Sequence, residues 1–295
     1  MAGTRVIALG FFDGVHLGHG GLLRQARAVA DRLRIPAAAL TLDTHPDALL
    51  HGERVGLLNT PSEREALMRR LYGIDDVLTL HFDREVMRQP WEDFVHATLI
   101  ETYHAAHLVC GHDYRFGAGG AGTPALLEQA ARSLGIGFDC IPEIRLDGQT
   151  VSSTLIRRLL TEGQTAQAVR FLGHPHLLSG TVVRGQQLGR TIGIPTANMA
   201  ISKEILLPRR GVYAAKAHFD EQERLAVVNI GCRPTVHGSA VTVEPWLLDF
   251  DGDLYGHRLC LELFDFIRPE REFPSLDALK AEILRNAEQV RRTVK

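Results

Sequence analysis

Two histidines three residues apart, His16 and His19, enclose Leu17-Gly18 and follow Gly10-Phe11-Phe12-Asp13-Gly14. An apolar strand pattern ends there and a helical one begins, so the pair falls on one face of a first helical turn, over N–H groups that favour anions. Such imidazoles can neutralise a triphosphate and stabilise charge on a transferring phosphoryl oxygen without lysine. Gly14 and Gly18 let a nucleotide come close to the backbone. The plain alternative, two exposed loop histidines, fits the position after a strand less well. A second cluster, Ser152-Ser153-Thr154 with Arg157 and Arg158 after it, offers hydroxyl caps and guanidinium charge to an anion. By itself it also reads as an ordinary helix cap with a solvated arginine face. A third lies in Gly185-Gln186-Gln187-Leu188-Gly189-Arg190-Thr191-Ile192-Gly193-Ile194-Pro195-Thr196-Ala197-Asn198. It is no Walker A loop, because the spacing is one residue short and Arg190 stands where lysine is required. Thr196 and Asn198, two apart on an extended segment, point to one side and offer hard oxygens to a Mg²⁺ held against ATP phosphates. A polar turn after proline is the simpler reading of that tripeptide alone.

The elements that must position these groups change in kind along the chain. Between residues 5 and 172, strand patterns at 6–11, 38–42, 77–80 and 108–110 alternate with helical patterns at 22–33, 62–72, 91–103 and 124–134. Alternation with short connections predicts βαβ units on a parallel sheet, with ligands at the carboxyl ends of the strands. After Gly173-His174-Pro175 come β-rich runs at 181–183, 212–219, 225–230, 241–250 and 257–266, and Asp251-Gly252-Asp253 reads as a hairpin turn between the last two. This predicts an antiparallel barrel. Ser275 caps a closing helix whose apolar stripe is Leu276, Leu279, Ile283, Val290 and Val294. The expected domains are residues 1–173 and 178–295. Residues 117–122 match G-x-G-x-x-G in form, but residues 112–116 separate them from the strand, so a mobile glycine-rich loop is expected rather than a dinucleotide site.

Composition removes whole classes. The 295 residues are 45% hydrophobic and 23% charged, with net charge −2, which gives an ordinary core and no basic field for nucleic acid. Four of the 33 basic residues are lysines, none within the first 202 positions, so neither a Walker A lysine nor a Schiff-base lysine exists there. Cys110, Cys140, Cys232 and Cys260 form no zinc-spaced cluster and read as reduced thiols of a cytoplasmic protein. No apolar run approaches membrane-spanning length. Oligomeric state is not written in the sequence.

Residues 10–19, 41–46, 111–117 and 152–157 together resemble the HxGH nucleotidyltransferases, and most closely the adenylyltransferase half of the bacterial bifunctional riboflavin kinase/FMN adenylyltransferases. Residues 185–198, Asn229-Ile230-Gly231-Cys232-Arg233-Pro234-Thr235 and Val243-Glu244-Pro245-Trp246 resemble the riboflavin kinase half. The resemblance implies a Rossmann-type α/β domain followed by a riboflavin-kinase-like antiparallel β-barrel with a terminal helix, converting riboflavin to FMN and FMN to FAD with ATP, Mg²⁺ and release of pyrophosphate. It implies catalytic roles for His16, His19, Arg157 and Glu244, the last as the base for the ribityl hydroxyl. ATP contacts would come from Gly10, Phe12, Asp13, Gly14, Gly18, Asp43, Ser152, Ser153, Thr154, Gly185, Arg190 and Gly193. Flavin contacts would come from Asp113, Arg115 and Asn229, and metal ligation from Thr196 and Asn198. Where the family has basic and acidic loop residues, Ala118, Gly120 and Thr123 stand here. Each lost charge-assisted hydrogen bond would cost roughly 1.5–3 kcal/mol. That departure frames the alternative, a riboflavin kinase whose first domain is a weak or regulatory nucleotide-binding module.

Overall fold

A computed structural model describes the chain apart from residues 1–2, 53–54, 186–188, 190–192, 236–237 and 295. It divides into two compact units, Met1–Ser153 and Thr154–Lys295.

In the first unit the strands are β1 (Arg5–Leu9), β2 (Ala37–Leu42), β3 (Asp76–Leu80), β4 (Ala105–Gly111) and β5 (Gly137–Ile141). Among the described residues they form a parallel sheet in the order β3-β2-β1-β4-β5, as the alternation predicts. Strand order reverses at β1, so the crevice outside its carboxyl end is the place where such sheets bind ligands. β1 is central, and Val6, Ile7, Ala8 and Leu9 are buried. Helix α1 (Leu17–Leu33) follows it, then α2 (Pro46–His51) and α3 (Pro61–Tyr72). Thr60 and Glu63 close a capping box on α3, with Pro61 fitting the first turn. Next come α4 (Arg84–Arg88), α5 (Trp91–Asp93) and α6 (Pro124–Leu134). The helix expected at 91–103 is found, but from Phe94–Thr102 it is wound as a π-helix. A two-residue pair, β6 (Arg145–Leu146) with β7 (Gln149–Thr150), completes the unit. Cys110 and Cys140, distant in sequence, are register partners on β4 and β5. Burial, reinforced by Cys140 and Asp113, pushes the Cys110 thiol up to about 12.

The border at residue 153/154 lies ahead of the expected 173–178. Helices α7 (Ser153–Glu162) and α8 (Thr165–Leu172) explain the difference. Ala168, Phe171 and Leu172 of α8 are buried, and α8 packs on two strands of the barrel. The Arg209 N–H also donates to Leu160 O at 2.9 Å.

The barrel strands are β8 (His176–Val183), β9 (Asn198–Ile201), β10 (Gly211–Phe219), β11 (Gln222–Thr235), β12 (Gly238–Leu247) and β13 (Arg258–Arg268). They close in the order β10-β11-β12-β9-β8-β13, with every pairing antiparallel, so that no edge is left open. This corrects the expected hairpin at Asp251-Gly252-Asp253, because β12 and β13 are not neighbours in that order. The two-residue hairpin is instead Asp220-Glu221 between β10 and β11, where both residues have positive φ, 43° and 62°. That conformation is the type I′ turn, whose twist matches the flanking strands.

Ser275 caps the last helix, Leu276–Thr293, as expected, accepting from the Ala278 N–H. Of the expected stripe, Val290 and Val294 are buried and Leu279 and Ile283 half-buried. Leu276 is exposed, while Glu282 and Asn286 are buried beside Ala287 and Val290. Burial is tolerated there because Glu282 is paired with Arg268, Arg271 and Arg285, and Asn286 accepts from Arg268 Nε at 3.1 Å.

Candidate functional site

The first constellation sits at the carboxyl end of β1. His16 caps α1, and its Nδ1 accepts the His19 backbone N–H at 3.2 Å. In a neutral ring that bond leaves the His16 proton on Nε2. The two rings stack with centroids 3.6 Å apart and planes 13° from parallel. A Cβ on Gly18 would lie 3.0 Å from the His16 ring and 3.2 Å from Val151 O, so any larger residue there would have to shift the ring or the backbone by a few tenths of an ångström. Burial foremost, then the charges of His16 and Arg64, pushes the His19 pKa well below its ordinary value. Its Nδ1 is buried without a hydrogen-bond partner among the described residues.

The remaining expected nucleotide contacts divide. Phe12 is fully buried, in the left-handed region at φ 57°, with its ring edge-on to His19 at 5.3 Å and against Gly10. Asp13 is 1% exposed, and its Oδ1 accepts N–H groups of Leu58 and Asn59 at 2.9 and 3.3 Å. Gly14 donates to Asn59 Oδ1 at 2.6 Å. These bonds tie the loop after β1 to the segment before α3. Ser153 Oγ donates to Asp13 O at 2.9 Å, which joins the hydroxyl cluster to the same loop, and Ser152 is half-buried beside it. Thr154 is exposed and Arg157 half-buried, on α7 of the second unit. Asp43 lies past β2, where its carboxylate takes His81 Nδ1 at 2.5 Å and the Phe82 N–H at 2.9 Å. Partial burial raises its pKa, but those bonds outweigh burial and hold the carboxyl below its usual value.

Arg64 and Asn59, which escaped the sequence reading, belong to this constellation, as do Phe11 and Thr41, which lie in the sequence motifs without a role of their own there. Arg64 is 1% exposed, its guanidinium 4.2 Å above the Phe11 ring, with Nη1 donating to Thr41 Oγ1 at 3.0 Å and Leu42 O at 3.3 Å. Thr41 Oγ1 in turn donates to Phe11 O at 2.8 Å.

Asp113 and Arg115 are exposed in the loop after β4, over Tyr114 and Phe116, which stack at 5.6 Å. The glycine-rich loop expected to be mobile is hydrogen-bonded. Phe116 and Gly122 exchange backbone bonds of 3.3 and 2.8 Å, and the Ala118 N–H donates to Gln89 O at 2.7 Å.

The second constellation is set by barrel register. Asn229 of β11 is the partner of Glu244 of β12. Val243 pairs with Met199 of β9, and the Ala197 N–H donates to Pro245 O at 2.9 Å, so Asn198 faces Glu244 across that pair. Thr196, Asn198, Asn229 and Glu244 are therefore neighbours, all half-buried. Gly185 crosses so closely that a Cβ would lie 2.3 Å from Asn198 Nδ2, and one on Gly189 would lie 3.3 Å from Thr196 Oγ1. Gly193 has φ 75° and lies near Lys280. Arg190 lies outside the described residues. No group of His, Cys, Asp or Glu among the described residues forms a metal cluster. A cation here would meet the neutral oxygens of Thr196 and Asn198, a donor set suited to Mg²⁺ shared with phosphates.

A parallel sheet carrying stacked histidines at its switch point and a barrel with hard oxygens beside a carboxylate define a two-unit enzyme of phosphoryl and nucleotidyl transfer. The FAD synthetase family matches residues 2–155 and the riboflavin kinase family matches residues 172–294. A bifunctional riboflavin kinase/FMN adenylyltransferase of Listeria monocytogenes is 34% identical over 98% of this chain and 92% of its own. Those of Haemophilus influenzae and Escherichia coli K12 are 35% and 36% identical, over 96% and 95% of this chain and 92% and 90% of theirs. A crystal structure described as a macrolide-efflux protein from Streptococcus pneumoniae superposes with a TM-score of 0.89 at 29% identity, over 100% of this chain and 96% of its own. The chain belongs to the bifunctional riboflavin kinase/FMN adenylyltransferase family. It phosphorylates riboflavin to FMN and adenylylates FMN to FAD, using ATP. The reading as a kinase with a merely regulatory first domain has less support, since these relatives are bifunctional over nearly the whole chain. No helix among the described residues is long and apolar enough to cross a membrane.

Proposed function

We propose that the two transfers are divided between the two constellations, in a cytoplasmic enzyme whose expected domains are residues 1–173 and 178–295. In the barrel, Glu244 takes the proton of the ribityl hydroxyl as that oxygen attacks the γ-phosphorus of ATP, and ADP leaves. Asn229 orients the flavin, while Gly185, Arg190 and Gly193 embrace the nucleotide. Thr196 and Asn198 would hold Mg²⁺, which when bound would neutralise phosphate charge. In the α/β unit an FMN phosphate oxygen attacks the α-phosphorus of ATP and pyrophosphate leaves. His16, His19, Ser152, Ser153, Thr154 and Arg157 stabilise the charge that develops, with Gly10, Phe12, Asp13, Gly14, Gly18 and Asp43 shaping the nucleotide loop and Asp113 and Arg115 beside the flavin phosphate.

The observation that carries the division is the stacked His16–His19 pair at the start of α1, below the sheet's switch point. The test is to incubate each variant with riboflavin, ATP and Mg²⁺ and separate the flavins by chromatography. Glu244→Ala should lose FMN formation and keep FMN-to-FAD conversion, and His19→Ala should do the reverse, each loss being about 10²–10⁴-fold. Loss of both activities in one folded variant would sink the division. Replacing Mg²⁺ with a chelator should stop FMN formation without unfolding the barrel.

A further inference from the structure

Arg64 is the largest fully buried side chain of the described residues, and it is charged. Taking a guanidinium out of water costs several kcal/mol unless its surroundings compensate. Here compensation is partial: the carboxylate of Asp13 is the charge that supports it, and Nε is buried with no acceptor. A cation so placed for packing alone would be better replaced by an apolar side chain of similar volume. Its surroundings are those of the first constellation. Phe11 lies under the guanidinium plane, Thr41 and Leu42 at the end of β2 accept from Nη1, and His19 lies within reach of its charge.

We propose that Arg64 is a positioning residue for adenylyl transfer, bracing Phe11 and Thr41 behind the loop that carries His16 and His19. The groups that face His19 are His16 from the same helix start and Arg64 from α3, with Asp13 of the loop bearing on Arg64. Burial foremost disfavours a cationic His19; the His16 ring stacked on it at 3.6 Å and then the Arg64 guanidinium add to that. A neutral ring keeps its place in the stack and donates or accepts one hydrogen bond at the phosphates without repelling His16.

The inference rests on the assignment of adenylyl transfer to His16 and His19, and the two fail differently. If the assignment were wrong, His19→Ala would leave FAD formation intact. If only the role of Arg64 were wrong, His19→Ala would abolish FAD formation and Arg64→Met would not impair it. The experiment measures kcat and KM for FMN adenylylation against pH in full-length Arg64→Met, Arg64→Gln and Arg64→Lys, with urea melts and ATP titration to verify folding. Loss of the charge should lower kcat about tenfold or more with little change in the KM for FMN. It should also move the acid limb of kcat/KM to higher pH. Lysine should leave that limb at its wild-type position while recovering only part of kcat, since it lacks the planar stack. Should Arg64→Met not fold, the contrast between Gln and Lys reads the same quantity. An acid limb unmoved in the neutral variants, or equal losses in all three, would reduce Arg64 to packing and overturn the proposal.

Discussion

On the proposed division, the two constellations address the same problem, holding ATP beside an acceptor oxygen, with opposite materials. In the α/β unit the groups are imidazoles at the start of α1, past the end of β1, with a buried guanidinium brought in from α3. In the barrel they are neutral oxygens and a carboxylate on β9, β11 and β12, gathered by strand register, with glycines pressed against them. The first arrangement depends on charge and protonation. The second depends on distance of approach. Perturbations should therefore separate them.

Beyond the two variants that remove a proposed catalytic group, the largest separation is expected from Gly185→Ala. The added Cβ would stand 2.3 Å from Asn198 Nδ2, so the Asn198 carboxamide has to move. Riboflavin phosphorylation should fall about 10²-fold, the penalty of displacing a positioned group by about an ångström. FMN adenylylation in the same protein should stay unchanged, and steady-state rates of both reactions decide it. Equal loss of both would break the comparison.

Acid should act next. His19 and His176 are held neutral in the folded chain, His176 by burial and by His174, with its pKa lowered to about 3. Above the unfolded pKa of about 6.5 neither costs anything. Below it the unfolded chain takes up protons that the folded chain refuses, so stability falls as pH falls, by up to about 1.4 kcal/mol per pH unit for each group. For His176 the fall continues until pH nears 3. Urea melts between pH 7 and pH 4 should show this slope, and His176→Phe should remove one proton's share of it. A slope identical to wild type would rule His176 out.

The smallest effect concerns the turn that sets barrel register. Glu221 has φ 62°, where glycine is free of the side-chain penalty. Glu221→Gly should stabilise the barrel by about 0.5–1 kcal/mol in thermal melts, leaving Asp220 in contact with His257 at 2.6 Å. Destabilisation would mean the turn is not type I′.

These regions were also unequally readable from sequence. The His16–His19 spacing is local, and a strand-to-helix junction leaves its mark within ten residues, so the pair and its helix start were visible. Arg64 was not. It follows Glu63 on a helix whose charges look like a solvated face, and only the arrival of Phe11 and Thr41 from other elements buries it. The barrel strands were legible as β-rich runs, but their order was not. Asp251-Gly252-Asp253 has better turn chemistry than Asp220-Glu221, yet the hairpin forms at the latter because closing the barrel outweighs local preference. The facing of Asn198 and Glu244, which brings a proposed metal ligand to the proposed base, follows from that order and from nothing in either segment alone.

The burial of Arg64 has a consequence for the medium in which the enzyme works. Phosphate sites built from exposed lysines weaken as salt rises, since at physiological ionic strength fields are screened within about 8 Å. The first 202 residues contain no lysine, and the guanidinium beside His19 is 1% exposed, beyond the reach of counter-ions. A field set by that buried guanidinium is therefore screened by salt less than one from an exposed lysine would be.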